Sequence, residues 1–405
     1  MSKKQGNKQP QHFTFMVWLL LLGLGSARIG LAQPTITIAN NSKQPLVNAV
    51  VEIPWQTVRA AYPSLDTTRL RVIQQPDNRE VPYQLERRGQ QTVQHLLVQV
   101  SVGAGQRIVL ALLPEKPVPV VARTYCRFVP ERFDDFAWEN DRIAFRIYGK
   151  ALNGRKDNAF GTDVWAKRTE NLVLNNWYKT NKYHKDNGEG LDYYHVGFTL
   201  GAGDVGAWLG DSINYIHNYT GWQVLDNGPL RSTFRVTYPA YTFGGTTVNT
   251  TKIISLDAGS QLSRVEMLVF HNHPGPLPMV VGITLRPKPG DVRLAQREGI
   301  MSYWEPTHGP DGTLGIGTVV PDQIGMSNSK TDPTKLVTMR EQHQHALTEV
   351  KVPSGKPFVY YHGAAWDKAG KITTADAWSA YLSQFAAQRQ QSLVIAATPV
   401  RRSRR

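Results

Sequence analysis

Short runs of β-forming residues, cut at close intervals by turn residues, occupy nearly the whole chain, and a chain so patterned has to fold as stacked antiparallel sheets. Between Thr35 and Leu113 the runs are TITIAN, NAVVEIP, LRVIQQ, HLLVQVSV and QRIVLALL, which predict a small N-terminal β-sandwich over residues 33–113. Three prolines in Pro114-Glu115-Lys116-Pro117-Val118-Pro119 suit neither strand nor helix, so 114–122 reads as a semi-rigid linker. Beyond it RIAFRIYG, LRSTFRVTYPAY, VNTTKIISLD, LSRVEMLVFH, MVVGITLRP and KPFVYYHGAAW predict a larger antiparallel β-domain over 123–399. Only one segment reads as helix. Thr374-Ala375-Asp376 can cap a stretch in which Trp378, Tyr381, Leu382 and Phe385 fall on one face.

Residues 1–32 have the layout of a secretory signal: Lys3, Lys4 and Lys8, an apolar run from Phe13 to Leu24, then Gly30-Leu31-Ala32 before Gln33. Cleavage is expected near Ala32, giving a periplasmic or secreted protein. The apolar run is shorter than the roughly 20 residues a membrane span needs, and no second such run follows, so no stable membrane insertion is expected. The lone cysteine, Cys126, excludes an internal disulfide and leaves stability to the core.

The formal net charge is +14, of which four units belong to Lys3, Lys4, Lys8 and Arg28 in the signal. The remaining basic balance favours anionic partners. In an exported chain without a nucleic-acid-binding motif, that means an acidic oligosaccharide or polysaccharide rather than nucleic acid. The closing Arg401-Arg402-Ser403-Arg404-Arg405, within 400–405, reads as a basic tail with no fixed role.

The most unusual segment is Tyr183-His184-Lys185-Asp186-Asn187-Gly188-Glu189-Gly190-Leu191-Asp192-Tyr193-Tyr194-His195. Its acids, imidazoles and phenols are too polar for a core, and its two glycines permit tight turns. His184, Asp186, Glu189 and Asp192 are therefore expected to converge as a catalytic or binding loop, the alternative being an ordinary solvated loop. Closely spaced carboxylates also suit a calcium ion, although the spacing is not that of the helix-flanked calcium loop; no other cofactor is expected.

Upstream, Asp141, Arg142, Asp163, Trp165 and Lys167 combine charge with an aromatic face, as a sugar site requires; a buried core tryptophan is the plain alternative for Trp165. Trp165 and Lys167 share a face if they lie on a strand. Trp177, Tyr178, Trp208, Tyr215, Tyr219, Trp222, Trp304 and Trp366 add aromatic surface able to floor a cleft. Arg231 and Arg264 lie inside strand-like runs and are candidates for gripping an anion, against the plainer reading of outward-facing surface arginines. His362 can enter a site from a strand end. His271 with His273, and His343 with His345, repeat a two-residue step but lack an evident third metal ligand. No Gly-x-Ser-x-Gly, phosphate-cradling glycine loop, HExxH or CxxC is present, which removes serine hydrolases, nucleotide enzymes and thiol redox chemistry.

Five ordered segments, ENDRIAFRIYGKAL, GTDVWAKR, YHKDNGEGLDYYHVG, GWQVLDNGPLRSTFRVTY and KIISLDAGSQLSRVE, resemble the family catalogued as domain of unknown function 4861, exported proteins common in polysaccharide-degrading Bacteroidota. The resemblance runs from about Phe128 to the end of the C-terminal helix. It implies that the large domain is a galactose-mutarotase-like β-supersandwich and that the substrate is a uronate-containing glycan. It supplies no catalytic residues.

Residues and resemblance together predict β-elimination on a uronic acid, as a lyase or an oligosaccharide dehydratase. The reaction needs a cation for the carboxylate, a base for the C5 proton and an acid for the group leaving C4. His184 or Tyr193 is the candidate base, Tyr183 or Tyr194 the acid, and Arg231, Lys167 or Arg142 the clamp. The alternatives are a glycoside hydrolase using two of Asp163, Asp186, Glu189 and Asp192, or a glycan-binding protein without catalysis.

Overall fold

The computed structural model describes residues 33–210, 212–321, 344–389 and 393–399. The signal-like segment, the basic tail and His343 lie outside the described residues. The chain is mainly β, and its sheets are antiparallel.

In the N-terminal sandwich the alternation of TITIAN is read literally by the fold: Ile36 and Ile38 turn into a core with Val51, Ile53, Leu96, Val98, Leu110 and Leu112. One sheet carries Leu46–Pro54, His95–Val102 and Tyr83–Glu86; the other is five-stranded. Its edge strand, Leu393–Thr398, comes from the far end of the chain and pairs with Thr35–Asn40, with Ile38 opposite Ile395. The sequence boundary at 399 therefore assigned this strand to the wrong sheet. Leu393, Ile395 and Ala397 pack on the small core, and alternation within six residues cannot say which sheet edge a strand will join. Residues 114–122 contain no strand or helix.

The large unit is a sandwich in which a nine-stranded sheet faces a five-stranded and a four-stranded sheet. Trp138, Phe145, Phe234, Val265, Met267, Ile316 and Tyr360 fill the space between them, with Phe136 stacked on Phe234 at 4.1 Å. Among the described residues three α-helices accompany the sheets: α1 (Trp55–Ala61), α2 (Leu174–Thr180) and α3 (Ala375–Arg389).

Helix α3 is the one legible in sequence. Thr374 Oγ1 accepts from Ala377 N at 3.2 Å, and Trp378, Leu382 and Phe385 bury against Val319, Tyr361 and Ala365 on the outer face of the nine-stranded sheet. The sheet surface is flattened where the helix lies: a Cβ on Gly317 would sit 2.6 Å from Leu382 Cδ1. The short helices α1 and α2 lack a long apolar period. Helix α2 is held by Glu139, whose two carboxylate oxygens accept from Val173 N and Leu174 N at 2.9 Å. Among the described residues no helix is long and apolar enough to cross a membrane.

Candidate functional site

The strand Asp163–Lys167 is buried at every residue because both of its faces are covered. Val164 and Ala166 join the main core, while Trp165 packs under α2 against Trp177, Tyr178 and Tyr183, its ring centroid 4.6 Å from that of Tyr183. Trp165 and Lys167 share a face as predicted, yet it is an interior face. Lys167 Nζ donates to Glu139 Oε2 and Asn140 O, both at 2.6 Å; burial lowers its pKa, and the Glu139 carboxylate works against that shift. Trp165 and Lys167 therefore hold α2 in place and do not line a sugar cleft.

On the same face Arg146 enters from the neighbouring strand and gathers three aspartates. Its Nε donates to Asp163 Oδ2 at 2.6 Å, Nη2 to Asp192 Oδ2 at 3.0 Å, and Nη1 to Asp135 Oδ2 at 3.4 Å. Tyr148 and Tyr178 donate to Asp163 and Asp135. One guanidinium cannot balance three buried carboxylates. Burial raises Asp135 to about 6, and burial together with Asp163 raises Asp192 well above the carboxylate range.

This cluster explains why a polar loop goes inside. Tyr183 and Asp192 are buried, stacked on Trp165 and paired to Arg146. His184 remains exposed over Tyr183, its Nδ1 3.8 Å from Asp192 Oδ2, and burial of its inner edge lowers its pKa. The expected convergence of the loop carboxylates does not occur. Asp186 pairs with Arg168 and Glu189 accepts from Trp177 Nε1 at 3.2 Å, so each acid closes a separate contact. A calcium ion would need these oxygens on one side, and no group of three or more His, Cys, Asp or Glu side chains suited to a metal occurs among the described residues.

The second half of the loop builds the candidate site at the rim of the sandwich. Tyr193 is half-buried, and its ring lies 5.1 Å from that of His308 at an interplanar angle of 14°. The Tyr193 hydroxyl is shielded from solvent and has no hydrogen-bond partner among the described residues. Burial, reinforced by Glu305, pushes its pKa far up, so it holds its proton. His308 is exposed and its Nδ1 lies 3.2 Å from Asp311 Oδ2, an arrangement that steadies the ring through one nitrogen.

Arg286 follows the strand Leu277–Leu285 into the same rim, its guanidinium 4.2 Å from the Tyr194 ring centroid. Its Nε donates to Glu305 Oε1 at 2.7 Å and its Nη1 to His195 O at 2.9 Å. Burial opposes its charge, but Tyr194 and Glu305 outweigh that and raise its pKa. A protonated phenol, an aspartate-steadied imidazole and a cation are thus assembled by residues 193–195, 286 and 305–311.

Other sequence candidates go elsewhere. Arg231 is buried between the two units, where its Nη2 donates to Asp257 Oδ2 at 2.9 Å and its Nη1 pairs with Glu52 and, at 3.4 Å, with Glu86. It fastens the units together and is not brought to His184 or Tyr193. Arg264 pairs with Glu266 at 2.9 Å beside the small domain. Arg142 pairs with Glu170 at 2.7 Å in a small depression it shares with Arg168, Lys371 and Trp366. His362 is core: burial lowers it to about 4, and its Nδ1 lies 3.2 Å from Ala202 O. His271 Nε2 contacts Val352 O, and His345 Nε2 accepts from Leu200 N, so both serve the backbone.

Sequence reasoning missed Arg286, His308 and Asp311. Arg286 stood at the end of a recognised strand, a usual place for site residues, and Thr307-His308-Gly309-Pro310-Asp311-Gly312 carries turn chemistry around an acid and a histidine.

Comparison with known proteins adds relatives. The family model described as domain of unknown function (DUF4861) matches residues 38–395. The chain is 32% identical over 282 residues to uncharacterized protein P7 of Formosa agariphila, covering 66% of this chain and 69% of that protein. Two solved Enterococcus faecalis structures are similar at 10% identity over 92% of this chain: a protein in glycosyl hydrolase family 38, with a TM-score of 0.48, and an alpha-mannosidase, with a TM-score of 0.45. This chain covers 48% and 46% of them, about half their length.

Proposed function

This chain belongs to the DUF4861 family, and from the rim geometry we propose that it is an exported enzyme that cleaves or dehydrates uronate-containing oligosaccharides by β-elimination. The observation that carries the reading is the grouping of Tyr193, His308 with Asp311, and Arg286 at one rim. These are the three kinds of group the reaction needs, in residues largely different from those the sequence suggested. Arg286 binds the substrate carboxylate and stabilises the charge that grows on it when C5 loses its proton. His308 takes that proton through Nε2. The electron pair forms the C4–C5 double bond, the C4–O bond breaks, and Tyr193 gives its proton to the departing oxygen. The proton taken by His308 returns to the neighbouring Tyr193, which restores both side chains, so no co-reactant is consumed. The basic balance of the chain and its signal-like leader support an anionic substrate outside the cytoplasm.

The test is ultraviolet absorbance of the conjugated product when the purified protein is given a panel of uronate oligosaccharides. Absorbance should rise with the parent protein and fall by roughly a hundredfold or more in rate for His308→Ala and Tyr193→Phe, with circular dichroism unchanged. New reducing ends without absorbance would overturn elimination in favour of hydrolysis. Sugar binding without any product would leave a binding protein.

A further inference from the structure

The loop that reaches the rim continues into a strip of aromatic rings that the reaction above does not use. Phe198 lies three residues past His195, whose carbonyl accepts from Arg286. Its ring is 5.0 Å from that of Phe160, which stacks on His217 at 4.7 Å with an interplanar angle of 1°. His217 lies 4.4 Å from Tyr241, and Tyr241 lies 6.2 Å from Phe243, while Tyr215 flanks Phe160 at 5.8 Å. Every one of the six is half-buried; Phe243 and Tyr215 rest one side on core clusters, while Phe160, Phe198, His217 and Tyr241 pack chiefly on one another.

Four separate chain segments supply these rings, including the short strand Tyr241–Phe243, which pairs with its hairpin partner Thr246–Asp257. Half-exposed rings in a contiguous row leave apolar area in water, which a folded protein seldom does over such a length without a use. The row is also not purely apolar. The Tyr241 hydroxyl and the His217 imidazole edge it, and burial lowers the pKa of His217, which favours the neutral ring. Flat apolar faces with polar edges match a pyranose chain, whose rings present C–H faces ringed by hydroxyls; they match a lipid surface or a packed protein interface less well.

We propose that this strip is a glycan-binding platform leading to the rim, so that the substrate is a chain of several sugars rather than a single residue or a disaccharide. The uronate character of that chain rests on the reading of the rim; the platform itself does not. A chain end held along the platform presents its reacting unit to Tyr193 and His308, and the binding free energy of remote sugars positions it there.

The experiment uses the full chain carrying His308→Ala, which binds without turnover, and measures affinity by calorimetry for a glucuronan dimer, a glucuronan hexamer and a neutral cellohexaose. The hexamer should bind at least tenfold more tightly than the dimer. Adding Tyr241→Ala and Phe243→Ala should remove most of that difference and leave dimer affinity within about twofold. In the His308→Ala protein with the platform intact, the His217 ring protons should shift in nuclear magnetic resonance spectra on adding hexamer but not dimer, a readout independent of whether the platform double variant folds.

Equal affinity for dimer and hexamer, or an unmoved His217 signal at saturation, would overturn the platform. So would a strip that buries itself between two copies, seen as a dimer that Tyr241→Ala and Phe243→Ala dissolve. Length-dependent binding of cellohexaose alone would keep the platform and sink the uronate reading instead.

Discussion

At the scale of single residues, this protein shows how burial decides what a charged side chain can do. Arg231, Lys167 and Asp163 have the right chemistry for an acidic sugar, yet each is enclosed and already paired, so its charge is committed to the fold. A buried pair of this kind is costly to break because the remaining partner is stranded in a poorly solvated place. Asp135 shows the opposite imbalance. Burial raises it to about 6, so the folded chain holds its proton more tightly than the unfolded chain does. That contribution is complete below the unfolded value of 3.8 and is lost as pH rises through about 6. Asp135→Asn should therefore flatten the decline in stability between pH 4 and 7 by up to about 3 kcal/mol, read as urea midpoints at each pH. Parallel midpoint curves for parent and variant would remove Asp135 from the account.

At the scale of elements, α3 was legible because its signals are local: a capping threonine, then apolar residues at helical spacing. Helix α2 was not, since Leu174–Thr180 is too short to show a period and its first turn is held by Glu139, far upstream. The polarity of the loop 183–195 predicts exposure, and the fold departs from that. Arg146, a strand residue, carries Asp192 inside and draws Tyr183 after it. The close seat of α3 on the sheet gives a direct check. Gly317→Ala should lower stability by about 1–3 kcal/mol because its Cβ meets Leu382 and Trp378. Combined with Leu382→Ala, the loss should be less than the sum of the two, as a thermal unfolding series can establish.

For the whole molecule, the two units are joined by more than the proline linker. The strand Leu393–Thr398 returns to the N-terminal sheet, and Arg231 reaches from the large sheet to Glu52 and Glu86 of the small one. The N-terminal sandwich is thus part of one structure with the large unit. Arg231→Met should leave Asp257 without its cation, Glu86 keeping only His95, and cost about 3–5 kcal/mol. Calorimetry should then resolve two unfolding transitions where the parent shows one. A single transition at an unchanged temperature would mean that the strand alone couples the units.

The sequence by itself determined the class of fold and the C-terminal helix, because these depend on local periodicity and local composition. It also fixed the kinds of group available for chemistry. Which imidazole, phenol and guanidinium meet was decided by the tertiary structure: Tyr193, Arg286 and His308 are far apart in the chain and come together only when the sandwich closes. The physical reason is that a side chain's role depends on its solvent exposure and on its partners, and both are properties of the packed sheets rather than of neighbours in sequence.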